Sequence, residues 1–539
     1  MTQFINAKED LVAEAIDGAL RIGGGWLARL DGYPHIKVLL RSDWDRSKVA
    51  LVSGGGSGHE PAHGGFVGAG MLTAAVCGEV FASPSADAVL AGILAVTGAA
   101  GCLLIVKNYT GDRLNFGLAA ERARALGRNV SMVVVDDDVA LPDIAQARGV
   151  AGTLFVHKIA GALAEAGADL ATVTAAAQSV IDDVVSIGMS LDTCTVPGAS
   201  KEARIGAGKA ELGLGIHGEP GVEQVDFAGA QAAISVMVER LAGHLAEGPH
   251  VAILNNLGGA TALEMSVLAE ELCRSAIGGQ ISHMIGPAPM MTSLDMHGFS
   301  LSLLPVNAAQ VAGLTAPVAM SAWPGCAPVG GINVLPMPAG MEAAQYVPSD
   351  DAAVRAMITA GCEALLAAEA ELNALDAKSG DGDTGSTVAT AARALQGALD
   401  RLPLADQSAL LRAIGTELSQ SMGGSSGVLL AIFFAAAGEA AEGTALVQAL
   451  RAGLARIQQV GGAGPGDRTM IDALMPALGA LPSGLDAAAR AARIGADGTA
   501  QITRAGAGRA SYVSAAHLEG HNDPGAEAVA LLFAHLAAN

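Results

Sequence analysis

Three runs in the first third of the chain, 49–53, 102–106 and 130–135, are apolar almost throughout. A strand with one wet face alternates apolar and polar residues, so unbroken runs predict strands covered on both faces. Each run leads into a polar or Gly-rich loop and then a helical stretch. That is the α/β pattern, in which ligands sit beyond the carboxyl ends of the strands. Further runs at 251–254 and 298–304 predict a second α/β portion from about residue 190. The texture changes near Asn333, where a Pro/Gly-rich stretch reads as a linker over 333–349, able to span about 50 Å if extended. From 350 onward strand patterns vanish, and Ala-rich helical periods such as 352–375 and 386–399 take over. The pattern predicts an α/β region over 1–332, itself in two α/β subdomains, then the linker, then an all-α domain over 350–539.

Composition refines this picture. The chain has 539 residues, too many for one hydrophobic core. Its 31 Lys+Arg against 53 Asp+Glu leave a formal charge of −22, which disfavours nucleic acid and anionic membrane surfaces as partners. A phosphorylated substrate would need local counter-charge, and a divalent cation on carboxylates supplies it. There are 70 Gly but only 3 Trp, 4 Tyr and 10 Phe, so the core must be aliphatic, and clustered glycines point to backbone approaching a ligand closely. Six scattered cysteines with no C-x-x-C pair fit a reduced, cytoplasmic protein. The N-terminus shows no basic segment followed by an apolar one, so no signal peptide is expected. Residues 88–106 are uncharged over about the length that spans a bilayer. The Gly-containing break at 97–101 instead divides them into a helix over 86–96 and a buried strand over 102–106.

Four segments carry candidate chemistry. The first, Ser53-Gly-Gly-Gly-Ser-Gly-His-Glu-Pro-Ala-His63, follows a strand. It satisfies H-E-x-x-H, but Pro61 and the glycines preclude the helix on which both histidines would face one zinc ion. It matches neither G-x-G-x-x-G nor a P-loop. What survives is a backbone cradle presenting N–H groups, Ser57 and His59 to a small polar ligand; a capped turn would explain two glycines but not four. The second, Lys107-Asn-Tyr-Thr-Gly-Asp112, offers an amine donor and a carboxylate base at the next strand's end, with a surface turn as its plain alternative. The third, Gly213-Leu-Gly-Ile-His-Gly-Glu-Pro-Gly221, sets His217 between glycines, open to a reactant and nucleophilic when neutral.

The fourth, Asp376-Ala-Lys-Ser-Gly-Asp-Gly-Asp-Thr-Gly-Ser-Thr387, gathers three carboxylates whose mutual repulsion calls for a cation. Few, hard oxygen ligands suit Mg2+ shared with phosphates, and the helix starting at Thr384 favours a phosphate. The EF-hand spacing is absent. Gly423-Gly-Ser-Ser-Gly427 matches G-x-S-x-G, but its surroundings are helical, so a phosphate loop is expected and not a nucleophile elbow. The loops 461–470, with Arg468, and 506–512, with Arg509, and Asp523-Pro-Gly525 add glycine contacts; four such loops in one acidic helical domain describe a nucleotide site.

Taken together and in order, these motifs resemble the single-chain, ATP-dependent dihydroxyacetone kinases over nearly the whole chain. The resemblance implies a ketose-binding α/β module and an antiparallel α-helical barrel that holds ATP. It implies phosphorylation of dihydroxyacetone, with His217 bonded to the substrate carbonyl carbon as a hemiaminal, which excludes glycerol by chemistry. Gly56, Ser57, Gly58, His59, Lys107 and Asp112 would hold its hydroxyls, with His59 and Asp112 as acid/base candidates. Asp376, Asp381 and Asp383 would carry Mg2+. Thr384, Gly385, Ser386, Thr387, Ser425, Ser426, Gly461, Met470, Arg509, Asp523, Pro524 and Gly525 would contact the nucleotide; Thr384 stands where the family often has His or Cys. A homodimer and a place in glycerol metabolism follow from the same resemblance. Alternatives within reach are another short ketose or aldose, such as erythrulose or glyceraldehyde, and FAD splitting to cyclic FMN. A ketose binder recharged by a phosphotransferase partner fits less well, because the fused ATP-type domain can recharge the site itself.

Overall fold

In a computed structural model describing residues 3–141, 146–339 and 345–539, the chain divides into two compact units, Met1–Asn333 and Val334–Asn539. The first is built on two sheets. Strands β1 (Leu27–Arg29), β2 (Val38–Arg41), β3 (Ala50–Ser57), β4 (Ala74–Val80), β5 (Cys102–Lys107) and β6 (Val130–Val135) lie in the order β1-β2-β4-β3-β5-β6. β4, β3, β5 and β6 are parallel, and β1 and β2 add an antiparallel edge. The three apolar runs are β3, β5 and β6. β5 is buried at every position, as a strand covered on both faces must be.

Helices Ala86–Val96 and Thr110–Ala125 cover one face through Val89, Ile93, Phe116 and Ala120. Helices Thr153–Glu165 and Leu170–Asp183 cover the other, setting Leu154, Phe155, Val173 and Val180 among Leu51, Leu103, Ile105 and Val133. The uncharged stretch 88–106 therefore divides at its glycines into helix and strand, as its sequence predicts. Between β3 and β4 the chain steps to one side of β3, and from β4 to β5 it crosses to the other. The carboxyl ends of β3 and β5 thus flank the switch point, where an open parallel sheet leaves a crevice for a ligand.

The second sheet comprises β7 (Val185–Ser190), β8 (Lys209–Leu212), β9 (Glu223–Asp226), β10 (His250–Asn256), β11 (Ile281–Pro289), β12 (Gly298–Pro305) and β13 (Cys326–Pro328). Its order is β13-β11-β10-β12-β7-β8-β9, and among these pairs only β10 and β11 are parallel. It begins at Val185, slightly ahead of the expected boundary. β8 and β9 escape a search for apolar runs because Lys209, Glu211, Glu223 and Asp226 interrupt them. Val251, Ile253, Ile285 and Leu304 share the core of the two middle helices, which therefore lie between the sheets. Ile234, Met237, Leu268 and Leu272 of helices Ala230–Ala242 and Ala262–Arg274 cover the outer face.

The second unit has no strand among its described residues. Helices Ala352–Ala367, Thr384–Ala398, Gln407–Ser421, Gly424–Ala440, Leu446–Gly461, Ile471–Ala480, Leu485–Thr499 and Pro524–Ala538 each pack on the next, and the last packs on the first, closing a ring. Small buried residues such as Ala473, Ala477, Ala488, Ala492 and Ala496 let the helices approach closely around Phe433 and Leu454. The continuous period over 352–375 is two helices, broken at Ala368 before Glu369–Asp376. Among the described residues, no helix is long and apolar enough to cross a membrane.

Candidate active site

The glycine segment is not a loop after β3; β3 runs on through it to Ser57, with a register irregularity against β4 between Gly55 and Ser57. Gly55 has φ +150°, and a Cβ there would stand 2.8 Å from Lys107 Nζ and 3.4 Å from Asp112 Oδ2. Glycine here lets two charged side chains come up against the backbone. Lys107 ends β5 and is wholly buried; burial lowers its pKa, and the charge of Asp112 opposes this. Asp112 lies in the first turn of helix Thr110–Ala125, not on a surface turn, and its buried Oδ1 has no partner. Gly56 backs onto Phe81 and Ala82, and Ser57 Oγ donates to Gly78 O at 2.8 Å.

His59 is buried, with Nδ1 2.8 Å from Thr292 O. A carbonyl only accepts, so Nδ1 carries the hydrogen and Nε2 is bare. That Nε2 is buried without a partner. Burial, then the charges of Lys107 and His217, hold the imidazole well below its ordinary pKa. The segment is stitched to the loop after β11, since Thr292 N donates to His59 O and Leu294 N to Gly58 O. Residues 59–63 form a turn, and no helix carries His59 and His63 on one face, so the zinc motif fails as expected.

His217 is less open than its glycine neighbours suggest. Its ring meets those of Tyr109, His59 and Phe81 at centroid distances of 4.4, 4.9 and 5.4 Å. Its Nδ1 lies 3.1 Å from Glu219 Oε1, and its backbone N–H donates to Glu219 Oε2 at 2.9 Å. Burial pushes the Glu219 carboxyl up, but the hydrogen bond and charge of His217 outweigh it and bring the pKa to about 2. In the neutral ring, Glu219 holds the hydrogen on Nδ1, and Nε2, which has no protein partner among the described residues, carries the lone pair. Arg148 braces this loop, donating to Gly213 O at 2.6 Å and pairing with Asp138 at 2.7 Å. Glu219, Tyr109, Phe81 and Thr292 escaped the sequence reading. Only Glu219 carried a signal, an acid two residues beyond the histidine.

In the second unit, Asp376, Asp381 and Asp383 each place one carboxylate oxygen within 4.8 Å of the others, with Asp376 buried. Three converging hard donors fit a Mg2+ ion. Asp376 Oδ2 accepts from the N–H groups of Asp383 and Thr384 at 3.0 and 3.2 Å, shaping the loop into the helix start. Arg509, half exposed, pairs with Asp381, so its loop closes on the acidic one. Thr384, Gly385, Ser386 and Thr387 form the first turn of helix Thr384–Ala398. Asn373, also absent from the sequence reading, pins Ser386 by accepting from its N–H at 2.9 Å and donating to its Oγ at 2.9 Å.

Ser425 and Ser426 open helix Gly424–Ala440, where backbone N–H groups favour an anion; no strand precedes them and no elbow forms. No hydrogen bond or ion pair joins them to the aspartates among the described residues. Gly461 ends its helix and faces Leu429 of the helix that Ser425 and Ser426 begin. Met470 caps helix Ile471–Ala480, and a Cβ on Gly525 would lie 3.3 Å from Met470 Cβ, so the 470 and 523–525 loops touch. Asp523 caps helix Pro524–Ala538 at Ala526 N, 2.8 Å away, and burial raises its carboxyl to about 6.

Comparison with known proteins decides the lineage. A Dak1 domain model matches residues 27–322, and a DAK2 domain model matches residues 378–538. The chain is 49% identical to the dihydroxyacetone kinase of Citrobacter freundii, over 99% of this chain and 98% of that one. It belongs to the dihydroxyacetone kinase family. It is also 41% identical to the human triokinase/FMN cyclase, with 92% of each chain covered. The solved C. freundii dihydroxyacetone kinase in complex with AMP-PNP and Mg2+ matches with a TM-score of 0.69 and 47% identity, over 100% of this chain and 99% of that one. Within this dihydroxyacetone kinase family member the two clusters separate by domain. His59, Lys107, Asp112 and His217 fall in the Dak1 match, and Asp381, Asp383 and Arg509 in the DAK2 match.

Proposed function

We propose that the chain phosphorylates dihydroxyacetone with ATP, residues 1–332 holding the ketose and 350–539 the nucleotide. The observation that carries this is His217, whose Nδ1 faces an ionised Glu219 and whose ring packs against His59, itself carrying a buried, partnerless Nε2; Asp112, with a second buried, partnerless acceptor at Oδ1, lies against Gly55 of the same module. His217 Nε2 adds to the ketose carbonyl carbon; the C=O π pair moves to oxygen, which takes a proton from solvent. The positive charge left on the imidazole is balanced by Glu219. His59 Nε2 accepts from the new hydroxyl, and Lys107 donates to a neighbouring one. Asp112 is the base for the hydroxyl that receives the phosphoryl group. Asp376, Asp381 and Asp383 would hold Mg2+, which neutralises phosphate charge when bound. The helix starts at Thr384 and Ser425 offer N–H groups to the phosphates. Glycerol has no carbonyl and cannot form the adduct.

A coupled ADP-release assay over dihydroxyacetone, erythrulose, glyceraldehyde and glycerol tests this reading. Turnover with dihydroxyacetone well above the rest, and none with glycerol, is expected; glycerol turning over as fast overturns it. The cytoplasm is the proposed compartment, supported by six free thiols. A homodimer is proposed from the resemblance, and light scattering showing a monomer would refute it.

A further inference from the structure

Behind Lys107 lies a line of buried polar side chains, His63, Ser53 and His157, that the reaction described above does not use. Lys107 Nζ is 2.7 Å from His63 Nε2. His63 Nδ1 faces Ser53 Oγ at 3.5 Å, a long contact, and His157 Nε2 reaches the same oxygen at 3.2 Å. Ser53 Oγ in turn donates to Ile105 O at 2.7 Å. Lys107, Ser53 and His157 are fully buried and His63 is 4% exposed, so these bonds are shielded from bulk water.

The hydrogens on this line can be counted. Ile105 O only accepts, so the one hydroxyl hydrogen of Ser53 goes to it. Ser53 Oγ can then only accept, from His63 Nδ1–H and His157 Nε2–H. Burial, with Lys107, His157 and His59 nearby, holds His63 well below its ordinary pKa, so the ring is neutral and its Nε2 bare. Nε2 can therefore do one thing, accept from Lys107. The line runs Lys107 to His63 to Ser53 to a strand carbonyl. Because it ends on a group that cannot release a proton, it orients and does not conduct.

We propose that His63 is a positioning residue for the ketose site: it takes one hydrogen of the Lys107 amine and thereby aims the remaining donors at the Gly55–Asp112 side, where the substrate hydroxyl would bind. The inference rests on the assignment of Lys107 to the ketose. It also accounts for a histidine at the end of the Gly-His-Glu-Pro-Ala-His segment that the zinc reading leaves without a task. β3 supplies Ser53, β5 supplies Lys107 and Ile105, and helix Thr153–Glu165 supplies His157. The switch point is thus wired through its floor.

The test is a double-mutant cycle on the full-length protein, reading the dihydroxyacetone KM at saturating MgATP. Losing one hydrogen bond to a charged donor is expected to raise that KM about 10- to 100-fold in His63→Leu, with the ATP KM unchanged. His63→Gln, which keeps an acceptor, recovers part of the loss. In a Lys107→Met background His63→Leu has no further effect, because it acts through the lysine. Effects that multiply in the double variant, or a His63→Leu protein that is less stable but has an unchanged ketose KM, overturn the inference alone. An unchanged KM in Lys107→Met itself overturns the ketose assignment and the inference with it. Ser53→Ala, a smaller perturbation, removes the far acceptor and is expected to raise the same KM about fivefold; no change there counts against the proposal even if His63→Leu does not fold.

Discussion

The two sites solve binding in opposite ways. In the α/β unit the polar groups are enclosed: Lys107, Asp112 and His59 are at most 3% exposed, and each is set by strands, a helix start or a neighbouring loop. In the helical unit Asp381 and Arg509 are 47% and 63% exposed, and the candidate contacts sit on loops at helix ends. The contrast fits the ligands proposed for the two sites. A three-carbon ketose offers few handles, so discrimination must come from prearranged, desolvated groups and a bond to carbon. A nucleotide brings several charges, and helix N-termini with a carboxylate-held cation bind these well at an open surface. Leaving a buried donor or acceptor without its partner costs more than losing an exposed one. Single substitutions should therefore hurt the first site in several distinct ways, and the second chiefly through phosphate charge.

The largest effect is expected at the enclosed carboxylate. Asp112→Asn should lower kcat about 10²- to 10⁴-fold, the range for a removed general base, while adduct formation persists. A loss under tenfold would mean the enclosed site keeps an idle carboxylate. At the open site, Asp381→Asn should lower kcat about 10²- to 10³-fold and leave the ketose KM alone, with partial recovery at raised Mg2+. An altered ketose KM would erase the contrast between the sites. Glu219→Gln removes the charged partner of His217, and kcat/KM for the ketose should fall about 10- to 100-fold.

The smallest effect is on stability. Burial raises Asp523 to about 6, so the folded chain keeps this proton where the unfolded chain has released it. The resulting stabilisation is full below the ordinary carboxylate range near 4 and is lost as pH rises through 6. Asp523→Asn caps the helix equally well and should flatten the melting temperature of the helical unit between about pH 4 and 6. An unchanged slope places the titration elsewhere.

Much of this was legible in the residues. Runs that are apolar on both faces gave β3, β5 and β6, because burial on two sides leaves no room for polar alternation. The Ala-rich periods marked the helical unit for a similar reason, since close helix packing selects small side chains. Charged edge strands such as β9 carry no such mark, and their pairing comes from neighbours distant in sequence. The end of β3 lies beyond the expected point for another reason: glycines 54–56 have a loop-like local sequence, yet pairing with β4 holds them extended. In the candidate site, the residues proposed to react stand out by rare combinations of Gly, His and Asp. Their supports do not. Tyr109 and Phe81 are ordinary aromatic residues until folding sets them around His217, and Asn373 reaches Ser386 only because two helices meet.

Carbon-13 NMR of dihydroxyacetone labelled at C2, with and without the protein, asks the decisive question directly. A bound signal in the tetrahedral range that disappears in His217→Ala is the outcome expected from the bare imidazole nitrogen. A bound ligand that keeps its carbonyl resonance in the active wild-type protein, or a tetrahedral signal undiminished in His217→Ala, contradicts the account.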